Sequence, residues 1–200
     1  MESGIWIRIQ FNNYNQYEGS KELISELKQV CIVQDCKKWY PSACTGLELL
    51  LGLNFNLTLL EFLNNVVIPG AEFAGIVAAS RKIWKAFDKF IKRNEETFEL
   101  LHLELTFDDV VIKIENRPTY GYLLNLYQQL PHHMSVFKKE GIEELSEIRL
   151  PFIEIIDEET GRQKYVVAYE NTLEETHLWR LKYLYGCETV FYNPSKEQFV

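Results

Sequence analysis

The sequence is poor in the features that define several classes of protein. Four cysteines in 200 residues are too few for a disulfide scaffold, and ten glycines and six prolines exclude a collagen-like or low-complexity chain. No apolar run approaches the length of about 18 residues that a membrane span needs, so we expect no transmembrane segment. Because no basic stretch precedes an apolar run at the N-terminus, the sequence predicts no secretory signal and a cytoplasmic location.

Sequence motifs that indicate catalysis or nucleotide binding are also missing. The chain contains neither of the glycine-rich phosphate-binding patterns, G-x-x-x-x-G-K-[ST] and G-x-G-x-x-G. It also lacks the zinc-protease pattern H-E-x-x-H and the hydrolase pattern G-x-S-x-G. These absences favour a non-enzymatic protein that uses no cofactor.

The composition is that of a folded protein, and its charge is unevenly distributed. Hydrophobic residues make up 46% of the chain and aromatic residues 14%, which excludes intrinsic disorder. The net charge is −8, yet residues 81–93 carry a net +5. An acidic chain repels phosphate backbones and anionic membranes, so general nucleic-acid binding is not expected. The basic segment instead suggests a specific docking contact.

Hydrophobic periodicity predicts an α+β chain that opens with strand, helix and strand. The apolar run at 47–53 is compatible with either a helix or a strand. The other predicted elements, in order, are strand 4–11, helix 21–30 with Ser20 as its N-cap, strand 30–40, helix 57–67, helix 71–93, a hairpin over 101–115 around Asp108-Asp109, helix 118–130, a loop over 131–137, a charged connector over 138–149, and strands at 152–156, 164–169, 178–185 and 188–192.

A change of composition near residue 138 predicts the domain organisation. Residues 1–137 form an α+β body, and residues 138–200 form a β-rich C-terminal extension that can also pack with the body as one domain. The long amphipathic helix 71–93 is expected to pack on an antiparallel sheet, because the predicted strands each need cover for one apolar face.

The helix 71–93 carries an apolar stripe and an opposite basic face, and three interpretations remain open. The stripe is the core of the body, or it docks in a partner's groove, or it lies on a membrane surface. The C-terminal aromatic residues are a second candidate contact, because such residues are enriched at interfaces. The predicted interaction residues are Arg81, Lys82, Lys85, Lys89, Lys92, Trp179, Tyr183 and Tyr185.

Metal-binding and catalytic interpretations are weaker but remain open. Cys31, Cys36 and Cys44 could join a histidine around zinc, although their spacing is loose for such a site. The adjacent pair His132-His133 could bind metal or act as a base, although a solvated loop after a helix is the favoured interpretation. A small metal-dependent hydrolase or nuclease would use His102, Glu104, Asp108 and Asp109 of the hairpin. Glu115 could join the three carboxylates of this set around a divalent cation, although Asp108-Asp109 is more simply explained as turn chemistry.

The layout of residues 1–130 resembles one family. The segments that carry the resemblance are IWIRIQF, KELISELKQV, FAGIVAASRKIWKAFDKFIKR, FELLHLELTFDDVVIKIEN and YGYLLNLYQQL. In order and type they are similar to the small effector-associated constant components of bacterial conflict and immunity operons. The resemblance implies a non-enzymatic adaptor or regulatory subunit, whose partner is a protein encoded nearby, and it carries over no catalytic residues.

The functional prediction is therefore a protein-binding adaptor or regulatory subunit of a bacterial defence or conflict system. One alternative is an acidic immunity protein that neutralises a basic toxin through electrostatic complementarity. The other alternative is the metal-dependent hydrolase or nuclease described above. No metal ligand set is assigned, and assembly into a homo-oligomer is left open.

Overall fold

The fold is that of a computed structural model of the chain. The structure describes residues 6–11, 18–35, 47–67, 71–94, 98–115, 119–142, 144–168, 174–183 and 188–200. The chain separates into two compact units, Met1–Asp108 and Asp109–Val200. It has the α+β fold that the sequence predicts, with helices and a mixture of parallel and antiparallel strand pairs.

The first unit is built on four strands in the order β2-β1-β3-β4. Strand β1 pairs in parallel with β2 and antiparallel to β3, and β3 pairs in parallel with β4. Parallel neighbours need a crossover connection, and helices supply it in both cases. The elements are β1 (Trp6–Phe11), α1 (Ser20–Leu27), β2 (Ile32–Asp35), β3 (Leu47–Asn54), α2 (Leu59–Val67), α3 (Ala71–Arg93) and β4 (Phe98–Thr106).

The core of the first unit joins apolar side chains from its helices and strands. Phe55, Phe62 and Phe107 form a triangle whose ring centroids are 5.0 to 5.1 Å apart. Helix α1 turns Leu23 and Leu27 into the core and packs against α3. Aromatic clusters of this kind bury a large apolar area and contribute much of the stability of a small core.

The beginning of α1 differs from the prediction. Ser20 is its first helical residue rather than its N-cap, which is Gly19 with a φ of 82°. A side chain at position 19 would be strained by that φ, and its Cβ would come within 2.9 Å of Arg93 and of Glu22. The positive φ is the main reason that glycine is favoured at position 19, since both nearby atoms lie at the ends of flexible side chains.

The described residues of the second unit form one helix and one sheet. The sheet has the order β5-β6-β8-β9-β10, with β7 paired to β6. Strands β5 and β6 are parallel and are connected through α4, whereas the other pairs are antiparallel. The elements are β5 (Val111–Ile114), α4 (Tyr120–Lys139), β6 (Leu145–Ile156), β7 (Gln163–Val167), β8 (Leu178–Tyr183), β9 (Thr189–Asn193) and β10 (Gln198–Phe199).

Helix α4 covers one face of this sheet. Ile112, Ile148 and Leu181 are aligned across β5, β6 and β8, and each is fully buried. The helix contributes buried residues at three- and four-residue spacings, the pattern of a helix with one apolar face. These residues are Tyr122, Leu123, Leu126, Tyr127, Leu130, His133 and Phe137.

Two predicted segments have a different structure, and the predicted domain boundary can be placed beside the compact units. The loop predicted over 131–137 is wrong, because α4 continues through Pro131 to Lys139. The connector predicted over 138–149 is β-strand from Leu145 onwards. The composition change at residues 137/138 lies in the last turn of α4, whereas the compact units divide between Asp108 and Asp109.

Candidate functional site

Helix α3 presents its predicted basic face to solvent. The basic face comprises Arg81, Lys82, Lys85, Lys89 and Lys92, and each of these residues is exposed. Lys89 Nζ lies 2.6 Å from Glu26 Oε1 of α1, and Lys92 Nζ lies 2.9 Å from Asp88 Oδ2. Two of the five cations are thus neutralised within the unit.

The other three cations of the basic face remain available for contact with a partner. Within the described part of the chain, no carboxylate lies within ion-pair distance of Arg81, Lys82 or Lys85. The next cation along the helix, Arg93, is paired with Glu22 at 3.2 Å. Unpaired charge is therefore concentrated near the middle of α3 rather than at its C-terminal end.

The apolar stripe of α3 is core over its described side chains. Ile83, Phe87, Phe90 and Ile91 are at most 4% exposed, and Trp84 is half-buried. Because these side chains are already covered, they present no apolar surface to a bilayer or to a partner's groove. Of the three interpretations of the helix, the structure therefore favours a core stripe with a solvated basic face.

The predicted C-terminal aromatic contact is only partly on the surface. Trp179 is 1% exposed, so its burial removes it from the predicted interaction surface. Alternation along a strand separates its two faces but does not show which of them a helix covers. The burial of Trp179 under α4 therefore cannot be predicted from the sequence. Tyr183 is half-buried, and its backbone carbonyl accepts a hydrogen bond from Ser146. Tyr185 lies outside the described residues.

Trp179 belongs to a cluster that includes the two adjacent histidines. His133 is buried at 4% exposure; its Nδ1 and the Tyr192 hydroxyl are 2.9 Å apart, and its ring packs edge-on against Trp179. Burial and the neighbouring His132 lower the pKa of His133 to about 4, against the opposing effect of Glu197. Exposed His132 contacts Glu197 at 2.8 Å. The solvated-loop interpretation is therefore wrong for His133.

The carboxylates of the hydrolase hypothesis occupy dissimilar environments. Asp108 and Asp109 are exposed, and Glu104 is half-buried. Glu115 is 5% exposed and accepts a hydrogen bond from Arg149 Nε. The side chain of His102 lies outside the described residues. In the described part of the chain, no three histidines, cysteines or carboxylates are grouped as metal ligands would be.

The cysteine hypothesis rests mostly on residues that the structure does not describe. Cys36, Cys44 and Cys187 lie outside the described residues. Cys31 is half-buried, and its Sγ donates a hydrogen bond to the carbonyl of Leu27 at 3.3 Å. Burial raises the pKa of the Cys31 thiol to about 11, so this thiol is protonated at neutral pH.

A feature that the sequence analysis missed lies on the face of the second sheet opposite to α4. Lys113, Arg149 and Arg180 are aligned across β5, β6 and β8, and we call them the cation row. Glu147 bridges its ends, with Oε2 2.6 Å from Lys113 and Oε1 3.0 Å from Arg180. The sequence signal is charged residues at i and i+2 within each strand, but only strand register aligns them.

The charges of this network hold one another in the ionised state. Burial alone would raise the pKa of Glu147, but its hydrogen bonds to Lys113 and Arg180 outweigh that effect and lower the pKa below its usual value. The guanidinium of Arg180 also lies 5.3 Å from the ring centroid of Phe152. A cation over an aromatic face is stabilised by the ring quadrupole, so Arg180 is held in place from two sides.

Comparison with known proteins adds no constraint on the site. No protein-family model matches the chain, and no curated protein or solved structure matches it. In the described residues, no helix is long and apolar enough to cross a membrane.

Proposed function

We propose that the chain is a non-enzymatic protein-binding subunit, an adaptor or regulatory component of a bacterial defence or conflict system. The basic face of α3 is its contact surface, and the partner offers acidic groups to it. The observation that carries the proposal is the exposure of Arg81, Lys82 and Lys85 without a neutralising carboxylate among the described residues. The defence context rests on the resemblance of residues 1–130 in segment order.

Electrostatics supports a protein partner over a general polyanion. The chain carries a net charge of −8, so long-range repulsion opposes nucleic acid as a whole. A local positive patch in such a chain attracts an acidic surface of limited size and orients it during the encounter. The cations lie on α3, whose apolar stripe is packed in the core. The basic face is therefore held in a fixed arrangement.

The proposal is tested by co-expression with the products of neighbouring genes, followed by purification of the complex. Replacement of Lys82 and Lys85 by Glu should weaken the complex at least about tenfold, because two attractive contacts become repulsive. Lys21→Glu, at an exposed lysine of α1, is the matched control and should leave binding within about twofold.

Three outcomes would contradict the proposal. Recovery of the chain as a free monomer in every co-expression would remove its basis. An equal loss of binding in Lys21→Glu would show that only net charge matters and not the basic face. A partner that binds through a basic surface would favour the alternative of an acidic immunity protein that neutralises a toxin.

A further inference from the structure

The cation row is unusual because like charges are direct cross-strand neighbours. Arg149 is the register partner of Lys113 on one side and of Arg180 on the other. Cβ atoms of such neighbours are about 5 Å apart, and like charges in these positions destabilise a sheet. The adjacent row on the same strands, Ile112, Ile148 and Leu181, is fully buried under α4. The packing of α4 depends on that apolar row and not on the three cations, so it gives no reason for like charges to be neighbours on the opposite face.

The internal carboxylates do not neutralise the row. Glu147 and Glu115 provide two negative charges against the three cations. Lys182 is on the same face as Arg180, is the register partner of Glu147, and is exposed. These four cations and two carboxylates together carry a net charge of +2.

The guanidinium groups also retain donors. A guanidinium carries five N–H donors. Arg149 uses Nε to bind Glu115, and Arg180 uses one Nη to bind Glu147. No other hydrogen bond to either guanidinium is found among the described residues, and the Nε of Arg180 is buried without a partner there. Terminal nitrogens of two adjacent arginines are thus available to an oxyanion.

The row is both accessible and restrained. The side chains of Lys113, Arg149 and Arg180 are 34%, 31% and 27% exposed, so a ligand can reach them from solvent. The carboxylates and the ring of Phe152 hold the cations in place before any ligand arrives. Prior organisation of this kind reduces the entropy lost on binding.

We propose that the cation row, with Lys182, is a binding site for a phosphate monoester group. The net charge of +2 complements the charge of about −1.5 to −2 that such a group carries at neutral pH. Two neighbouring arginines can each offer paired N–H donors to its oxygens, the geometry in which guanidinium binds phosphate best. This site lies within the second unit and is independent of the basic face of α3.

Binding is measured on the full chain by the shifts of arginine Nε–Hε resonances during titration with inorganic phosphate at constant ionic strength. The shifts of Arg149 and Arg180 should saturate with phosphate and not with acetate at equal concentration. Parallel titrations with O-phosphoserine and with a nucleoside monophosphate identify the molecule that carries the group. The compound that binds with the higher affinity shows whether the natural ligand is a phosphorylated side chain or a nucleotide.

Arg149→Lys keeps the charge of the row and the pairing of Glu115 but loses the forked donors, so the affinity for phosphate should fall about tenfold. Arg162→Lys makes the same change at an exposed arginine of the β6–β7 turn and should have no effect. If Arg149→Lys fails to fold, Lys182→Gln, at an exposed position, should weaken binding about threefold or more.

The proposal is overturned if phosphate produces no saturable shift, or if acetate binds as tightly as phosphate. Equal weakening in Arg162→Lys and Arg149→Lys would also overturn it, because the effect would then be unspecific. None of these measurements involves a protein partner. Failure of this proposal is therefore distinguishable from failure of the proposed function, which is read from complex formation.

Discussion

At the scale of single residues, burial decides what the histidines of this chain do. His132 and His133 are adjacent, yet one is exposed beside Glu197 and the other is buried against Tyr192 and Trp179. Burial and the charge on Glu197 also raise the pKa of Tyr192 to about 12, so its hydroxyl remains protonated and is held beside His133. The buried pair is a neutral contact between helix and sheet.

The low pKa of His133 predicts a loss of stability in mild acid. In the unfolded chain His133 has an ordinary pKa near 6.5, whereas folding lowers it to about 4. The unfolded state therefore binds more protons between these values, and the free energy of unfolding falls as pH decreases from about 6.5 to 4. The loss from this residue is at most about 3 kcal/mol.

This prediction is checked by denaturant unfolding at pH 7 and pH 4.5. His133→Gln should reduce the pH dependence, because a side chain that does not titrate replaces the buried imidazole. His132→Gln, at the exposed neighbour, should retain most of it. Equal pH dependence in His133→Gln and the parent protein would contradict the assignment, since the two proteins contain the same carboxylates and differ only in the buried imidazole.

At the scale of elements, α2 begins with a reciprocal cap. Thr58 precedes the first residue of the helix, and its Oγ1 accepts a hydrogen bond from the Glu61 backbone N–H at 3.2 Å. Glu61 Oε2 in turn accepts bonds from the Thr58 N–H and hydroxyl, both at 2.8 Å. The bonds from Thr58 lower the pKa of Glu61. This is the capping box, which satisfies N–H groups that have no partner inside the helix.

Thr58→Ala is expected to lower the free energy of unfolding by about 1 kcal/mol, because the helix loses a side-chain acceptor at its N-terminus. The measurement is equilibrium unfolding in denaturant. Thr189→Ala, at an exposed position of β9, is the matched control and should cost no more than about 0.5 kcal/mol. Equal destabilisation by the two substitutions would show that the cap does not stabilise α2.

At the scale of the whole molecule, an acidic chain carries two separate concentrations of positive charge. One is the basic face of α3 in the first unit, and the other is the cation row in the second unit. The first has three cations without an internal partner among the described residues, whereas the second encloses two carboxylates. The first therefore suits long-range attraction of a protein surface, and the second suits close contact with a small anion.

Salt should slow the association of the proposed protein partner. Screening shortens the range of attraction, since the Debye length is about 10 Å at 0.1 M salt and about 3 Å at 1 M. We expect the association rate constant to fall at least about tenfold over this range, while the dissociation rate changes less. Stopped-flow mixing measures both, and the Lys82→Glu, Lys85→Glu double variant should no longer show this decrease, because repulsion replaces attraction at the two positions. A salt-independent rate in the parent protein would contradict this electrostatic contact.

Local periodicity was sufficient for the α+β class, the strand-helix-strand opening and the helix Ala71–Arg93, because spacings of two and three to four residues reflect backbone geometry. The continuation of α4 through Pro131 was not predictable, since burial of His133 and Phe137 against the sheet favours helix there. The burial of Trp179 and the alignment of Lys113, Arg149 and Arg180 depend on strand register. Register joins residues far apart in sequence, so only the tertiary structure decided them.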